Sequence, residues 1–413
     1  MDQPATPVTA APRDGAPLRF GEFVAIVAMM MGLSALGIDA MLPALPAIGD
    51  SLNIPGDNER QFIITAFLIG YGLAHLIYGP LSDRFGRKPV LAIGLLAYVL
   101  GSIACAVSGS FTAILLARAA SGASVAAARV VIVAVVRDCY SGRAMAKVMS
   151  LAFMLFMATP ILAPAFGQAV LALTGNWRFI FYGIGLLTLL ALVWFLLRMP
   201  ETHHAEARSS LDLRGLIARY RRVTRDRYLI GYTIASTAMA AGLFGFIASI
   251  QQIVFDIFER PDLLIVVFGA VAGTMSVSSF VNSRIVMHFG TRRISHTALL
   301  AMTGIAAGHL VLAAFGQETL WSFTLLQAVL MACFGLANAN FSAMAMENMG
   351  PIAGTASSFQ GFVMTLGGAI GGAVTGQFFD GTTVPLFIGF VLFGLVALAA
   401  ILITEKGRLF RHN

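Results

Sequence analysis

Charge is what this chain has least of. Asp, Glu, Lys and Arg make up 11% of its 413 residues, less than half the roughly 25% that a water-soluble domain carries. So few charges cannot coat a solvated surface, which excludes an ordinary soluble enzyme or binding module. Cysteine is scarce too. Cys105 and Cys333 lie within apolar runs and Cys139 stands at a helix end, so three thiols offer no disulfide framework and read as small core residues. Histidine is also infrequent and shows no metal-ligand spacing, so no metal is expected, and His75 and His309 read as buried, hydrogen-bonded side chains. No nucleophile–base pair stands at membrane depth, so enzyme chemistry and cofactors are not expected. The formal charge of +7 does not point to nucleic acid, because the basic residues fall in short loops and not along one solvated face.

Apolar residues are abundant, at 58% of the chain with a mean hydropathy of +0.83. About 20 consecutive apolar residues span the hydrocarbon core of a bilayer. Windows of that length recur twelve times, near 20–45, 59–79, 90–108, 111–137, 147–171, 177–198, 228–255, 262–283, 295–315, 319–343, 353–378 and 384–403. The expectation is an all-α membrane protein of two six-helix halves, 20–198 and 228–404. A polar, Pro/Ala-rich tail at 1–19 reads as disordered and not as a cleavable signal. Residues 199–227 form the one long linker, rich in arginine, and 405–413 a short tail.

Basic residues set the orientation. With the N-terminus in the cytoplasm, the inside loops hold Arg13, Arg19, Arg84, Arg87, Lys88, Arg137, Arg143, Lys147, the linker arginines including Arg208 and Arg214, Arg284, Arg292, Arg293, Lys406, Arg408 and Arg411. Only Arg60, Arg178 and Arg260 remain outside. Both termini are therefore expected inside. An internal repeat supports the two halves: Asp83-Arg84-Phe85-Gly86-Arg87-Lys88 has an echo in Met287-His288-Phe289-Gly290-Thr291-Arg292-Arg293, each after the second helix of its half. Two such halves form a parallel repeat with a transport path between them.

Several residues stand out chemically. In the 79–89 turn, Gly79 permits close helix packing, Gly86 a tight reversal, and Asp83 can cap a helix or pair with arginine. Asp39, near the outer end of the first span, is an intramembrane carboxylate that must pair, meet water or take up a proton. Arg118 on the fourth helix is its expected partner. Each lies about 8 residues from an outer helix end, hence about 12 Å deep. Arg129, three turns along, has a register within about 20° of Arg118, so both arginines are expected to face one cavity. Pro160 and Pro164 should kink the fifth helix. Gly361, Gly367, Gly368, Gly371, Gly372 and Gly376 read as close packing in the eleventh helix. Met31, Met154 and Met157, with Gln251, Gln252, Asn338 and Asn340, are the remaining candidates for the cavity wall.

The pattern Gly79-x-Leu81-x-Asp83-Arg84-x-Gly86-Arg87-Lys88 resembles the signature loop between helices two and three of the major facilitator superfamily. Leu115-Leu116-Ala117-Arg118-Ala119-Ala120-Ser121-Gly122 resembles its helix-four pattern, with Ser121 where glutamine is common. Asp39-x-x-Leu42-Pro43-Ala44-Leu45-Pro46, Asn176-Trp177-Arg178 and Gly350-Pro351-Ile352-Ala353-Gly354-Thr355-Ala356-Ser357-Ser358 are similar to the Bcr/CflA branch. The resemblance implies a twelve-helix major facilitator fold in the bacterial inner membrane. It further implies a gating relay among Asp83, Arg87 and Asp138, with Arg84 in the same loop, and an influence of Arg118 on proton coupling. Members of the branch export drugs such as bicyclomycin, chloramphenicol or sulfonamides against protons. Some related exporters carry a second acid in helix one, where this chain has Met31, and the glycine run of the helix-five antiporter motif is depleted here. The expected activity is proton-coupled efflux of small lipophilic compounds by a monomer. Its partners are protons, a small-molecule substrate and the lipid bilayer. A proton-coupled carrier of one metabolite is the alternative.

Overall fold

A computed structural model describes residues 17–203 and 213–410. The tail before residue 17, linker residues 204–212 with Arg208, and residues 411–413 lie outside the described residues. The chain begins with α1 (Phe20–Asp39), the short α2 (Leu45–Ser51), α3 (Phe62–Phe85), α4 (Arg87–Val107) and α5 (Phe111–Cys139). Next come α6 (Gly142–Phe156), α7 (Thr159–Thr174) and α8 (Arg178–Arg198), which complete the first half. The linker helix α9 (Leu213–Val223) leads to α10 (Arg227–Gln252), α11 (Leu264–Phe289), α12 (Thr291–Ala314), α13 (Leu320–Ala345), α14 (Ala353–Gln377) and α15 (Val384–Thr404).

Eleven helical stretches among the described residues are long and apolar enough to cross a membrane. The twelfth is α14, whose Gly, Ser and Thr content dilutes its hydropathy. Unlike the arginine-rich α9, the spans are predominantly apolar, and large side chains such as Ile93, Leu197 and Ile403 stay exposed on the outer surface where lipid would solvate them.

Two spans are interrupted within their apolar windows. The first breaks at Asp39, passes through a 3₁₀ turn at Leu42–Ala44 with Pro43 at its start, and resumes as α2. The fifth ends at Phe156 and restarts at Thr159. Pro160 sits in the first turn of α7, where its missing N–H costs nothing, while Pro164 lies buried inside the helix. The interruption is thus at Met157–Ala158, ahead of both prolines.

Glycine sets the closest crossings. A Cβ at Gly70 would stand 1.9 Å from the Ala119 carbonyl oxygen, and one at Gly122 2.0 Å from that of Phe67. No side chain fits there, so α3 and α5 touch backbone to backbone. Along α14, Gly372 packs on Gly245 and Phe244 of α10, and Gly371 on Ala241. The halves meet where α3 lies on α14 and α7 on α11.

Candidate functional site

The basic loops gather at one end of the bundle. At the α3–α4 turn Gly86 has φ 99°, a left-handed conformation that disfavours any side chain, and the reversal swings Arg87 inward. Arg87 is only 3% exposed. Its Nη1 donates to Asp83 Oδ1 at 2.5 Å and Ser82 Oγ at 2.8 Å, and its Nε to Asp138 Oδ2 at 2.9 Å. The three residues Asp83, Arg87 and Asp138 therefore form one network. Burying this cation is tolerable because two carboxylates share it. Arg84 points out, exposed, with its guanidinium over the Phe85 ring. Gly79 borders the other half, where a Cβ would meet Ser358 Oγ at 3.4 Å.

Sequence reasoning missed Glu201. Its carboxylate accepts from the Arg87 and Lys88 backbone N–H groups at 2.9 and 3.1 Å, capping the N-terminus of α4 where the helix dipole favours an anion. Nothing in its spacing from the turn signals this. Thr202 adds a hydrogen bond to Asp138.

The second half builds the same device. After Gly290 (φ 80°), Arg292 donates to Glu405 at the end of α15 at 2.8 Å and to Glu347 beyond α13 at 3.1 Å. Tyr232 also donates to Glu405 Oε1, at 2.5 Å, and His296 lies beside it. Burial alone would raise the Glu405 carboxyl. The hydrogen bonds from Arg292 and Tyr232, and the guanidinium's charge, outweigh that and hold it below the ordinary glutamate value. The echoed Phe-Gly dipeptide marked Arg292, but not the two acids it recruits.

A cavity of about 930 Å³ runs between the halves from this basic end. Its first-half wall includes Ser34, Tyr71, His75, Gly79, Asp83, Arg87, Arg129, Arg137, Met145, Met149, Phe153 and Phe156. Its second-half wall includes Phe244, Ser342, Met346, Ser357, Ser358, Gln360, Gly361, Met364 and Thr365, with Arg219 and Tyr220 of α9 at the mouth.

The opposite end is shut. Asn58 donates to the carbonyls of Gln377 and Phe379 at 3.2 and 2.8 Å, and Gln377 donates back to the Asn58 carbonyl at 2.8 Å. Gln252 donates to Asn58 Oδ1 at 2.9 Å and accepts from Gln61. A Cβ at Gly376 would overlap Gln61, so the seam closes only over glycine. Asn58, Gln61 and Gln377 carry no motif, and pairing across the halves is what gives them a role.

Several expected cavity residues lie elsewhere. Met31 is fully buried in the core of the first half. Met154 is 56% exposed on the outer surface, and Met157 sits at the α6–α7 break, off the cavity wall. Turning α6 so that Phe153 and Phe156 face inward sends Met154 outward. The wall methionines are instead Met145, Met149, Met346 and Met364. Gln252 serves the closed seam and the buried Gln251 lies one position away, neither on the cavity wall. Asn340 bonds to Asn282 at 2.9 and 3.2 Å, tying α13 to α11, and the half-buried Asn338 likewise lies off the wall.

Asp39 and Arg118 are both buried but do not form an ion pair in this structure. Arg118 Nε donates to the Ile63 carbonyl at 3.1 Å, and its guanidinium stacks 4.3 Å from the Phe67 ring centroid and 5.8 Å from that of Phe181. Asp39 Oδ1 has no hydrogen-bond partner among the described residues. Arg129 does line the cavity while Arg118 does not. Similar register on one helix was not enough, because α3 covers the outer part of α5. His75 Nδ1 donates to the Tyr71 carbonyl at 2.7 Å, and His309 bonds Glu318 at 2.5 Å, as buried histidines should.

The sequence matches the family model of the Major Facilitator Superfamily over residues 27–372. It is 29% identical over 368 residues to a bicyclomycin resistance protein homolog of Haemophilus influenzae, covering 88% of this chain and 91% of that protein. It is 33% identical over 189 residues to multidrug resistance protein D of Escherichia coli, covering 45% and 47% of the two chains. Among solved structures, a bacterial homolog of the human lysosomal transporter Spinster, inward-facing and occupied, aligns with a TM-score of 0.74 at 14% identity. That alignment covers 94% of this chain and 98% of that one.

Proposed function

Because this chain belongs to the major facilitator superfamily, we propose that it exports small lipophilic compounds, drugs among them, across the bacterial inner membrane in exchange for protons. The carrying observation is the cavity between the halves, open at the basic end and sealed by the Asn58–Gln61–Gln252–Gln377 seam at the other. Relatives named for bicyclomycin and multidrug resistance support the direction and the kind of cargo. The excess of basic residues supports a cytoplasmic setting for the open end and for both termini. Cargo would therefore load from inside.

Asp39 is the proton carrier in this scheme. Enclosed, and without a hydrogen-bond partner for Oδ1 among the described residues, it is poorly placed to hold a charge, and a bound proton removes that cost. Opening of the outer seam would expose the acid to the periplasm. Arg118, pinned by the Ile63 carbonyl and two aromatic rings, supplies a fixed positive charge that favours proton release when α1 and α5 repack. The Asp83–Arg87–Asp138 network holds the α3–α4 turn to the end of α5, so this half moves as a body while the cytoplasmic gate closes and opens.

The test is Asp39→Asn in a host lacking its own pumps, challenged with chemically unlike antibiotics. The wild-type protein should confer resistance to several, and the variant to none, with normal membrane levels. Unchanged resistance and unchanged substrate-induced proton release in the variant would remove Asp39 from the mechanism.

A further inference from the structure

The cavity wall carries a charge asymmetry that general lipophilic efflux does not require. Arg87, Arg129, Arg137 and Arg219 line it, against a single carboxylate, Asp83. Asp83 is already engaged with Arg87, and Arg87 also with Asp138. Arg129, Arg137 and Arg219 have no ion pair among the described residues. Eight residues of helix separate Arg137 from Arg129, about 12 Å along α5, so the arginines run from the mouth toward the closed end. Such a series draws anions inward and repels cations.

At the inner end of that series the surroundings of Arg129 are specific. Its Nη1 is enclosed and finds no hydrogen-bond partner among the described residues. The guanidinium lies 5.1 Å from the Phe153 ring centroid and 5.6 Å from that of Phe156, and those rings meet edge to face at 6.3 Å. Tyr71 and His75 form a second edge-on pair at 4.7 Å. Because His75 Nδ1 is held by the Tyr71 carbonyl, Nε2 is left beside Gly361 on the cavity wall. A half-buried cation with an unused donor and no ion pair among the described residues is costly until an anion completes it. The aromatic pairs beside it offer faces and edges to a flat ring.

We propose that Arg129 is the anchor for an anionic aromatic substrate, its carboxylate or sulfonate on the guanidinium and its ring among Phe153, Phe156 and Tyr71. The assignment rests on the export reading above and narrows its cargo from lipophilic compounds in general to aromatic organic anions. A planar guanidinium suits such oxyanions because it presents paired donors. Lipophilic cations meet no free carboxylate on the cavity wall among the described residues and are selected against.

The test uses three probes of one shape, naphthoate, naphthamide and naphthylmethylammonium, binding to the purified full-length protein by calorimetric titration. Wild-type protein should bind naphthoate roughly tenfold or more tighter than naphthamide, the factor expected for one charge-assisted contact, and naphthylmethylammonium weakest. Arg129→Met should lose that preference, and Arg129→Lys should keep part of it. The comparison of probes on wild-type protein needs no variant and stands even if Arg129→Met is unstable. Equal affinities for naphthoate and naphthamide, a preference for the cation, or no binding of any probe would overturn the assignment. Proton-driven export of naphthamide alongside such a result would leave the export reading intact. A naphthoate preference without any export would sustain the anchor and remove the export reading.

Discussion

The two arginines of the α3–α4 turn show how far a side chain's setting decides its worth. Arg87 is buried between two carboxylates, whereas its neighbour Arg84 is exposed over Phe85. Arg87→Met should cost about 3 kcal/mol in reversible denaturation, the low side for breaking a buried pair because Asp83 remains half in water. Arg84→Ala should change stability by less than about 0.5 kcal/mol. Equal losses would mean that the network carries no structural load. Glu405 gives a pH test of the matching cluster, where Arg292, Tyr232 and His296 face it and Glu347 shares Arg292. Its folded-state value lies below the unfolded one. Its contribution is therefore complete above the ordinary glutamate value of about 4.3 and is lost as pH falls through the lower folded value. Thermal denaturation of Glu405→Gln should show a flatter acid limb than wild type below about pH 4.3. Parallel acid limbs would contradict the linkage. Charges at helix ends were legible because the turn motif is dense and local. The expected pairing of Asp39 with Arg118 does not form here, since counting residues gives depth along a helix and says nothing about which neighbour claims the side chain. Ile63 and Phe67 claimed the arginine.

Helices themselves were readable from apolar length, and their interruptions were not. Asp39 ends α1 because the Pro43 turn follows, and α6 stops two residues before α7 begins. Both breaks depend on packing that no window of hydropathy records. Glycine was readable as a packing signal, though the structure is needed to say which glycine tolerates nothing. Gly122 faces backbone in α3, while Gly304 on α12 has open space around it. Gly122→Val should destabilise by more than the roughly 1–3 kcal/mol of ordinary overpacking, because a carbonyl cannot rotate away like a side chain. Gly304→Ala should be neutral or stabilise by up to about 1 kcal/mol through helix propensity. Melting temperatures in one detergent separate the two. A tolerated Gly122→Val would refute the backbone contact between α3 and α5.

For the bundle as a body, two six-helix halves followed from the count of apolar windows and the repeated Phe-Gly turn. Which end stands open did not follow, because one set of helices can pack to close either end. The state seen here is fixed by the polar seam around Asn58, whose partners lie between 194 and 321 residues away in sequence. Cysteines at Asn58 and Gln377, joined by a short bifunctional reagent, should hold the seam shut and stop transport. Cleavage of the reagent should restore it. The native thiols Cys105, Cys139 and Cys333 are buried and should not compete. Undiminished transport by fully cross-linked protein would mean that this end need not open.

Proton-driven export itself is best tested in inside-out proteoliposomes supplied with chloramphenicol or naphthoate. An acid lumen should drive accumulation of at least one of them in wild-type vesicles. A protonophore or Asp39→Asn should abolish that accumulation. Accumulation that requires an alkaline lumen, or that ignores the proton gradient, would contradict export in exchange for protons.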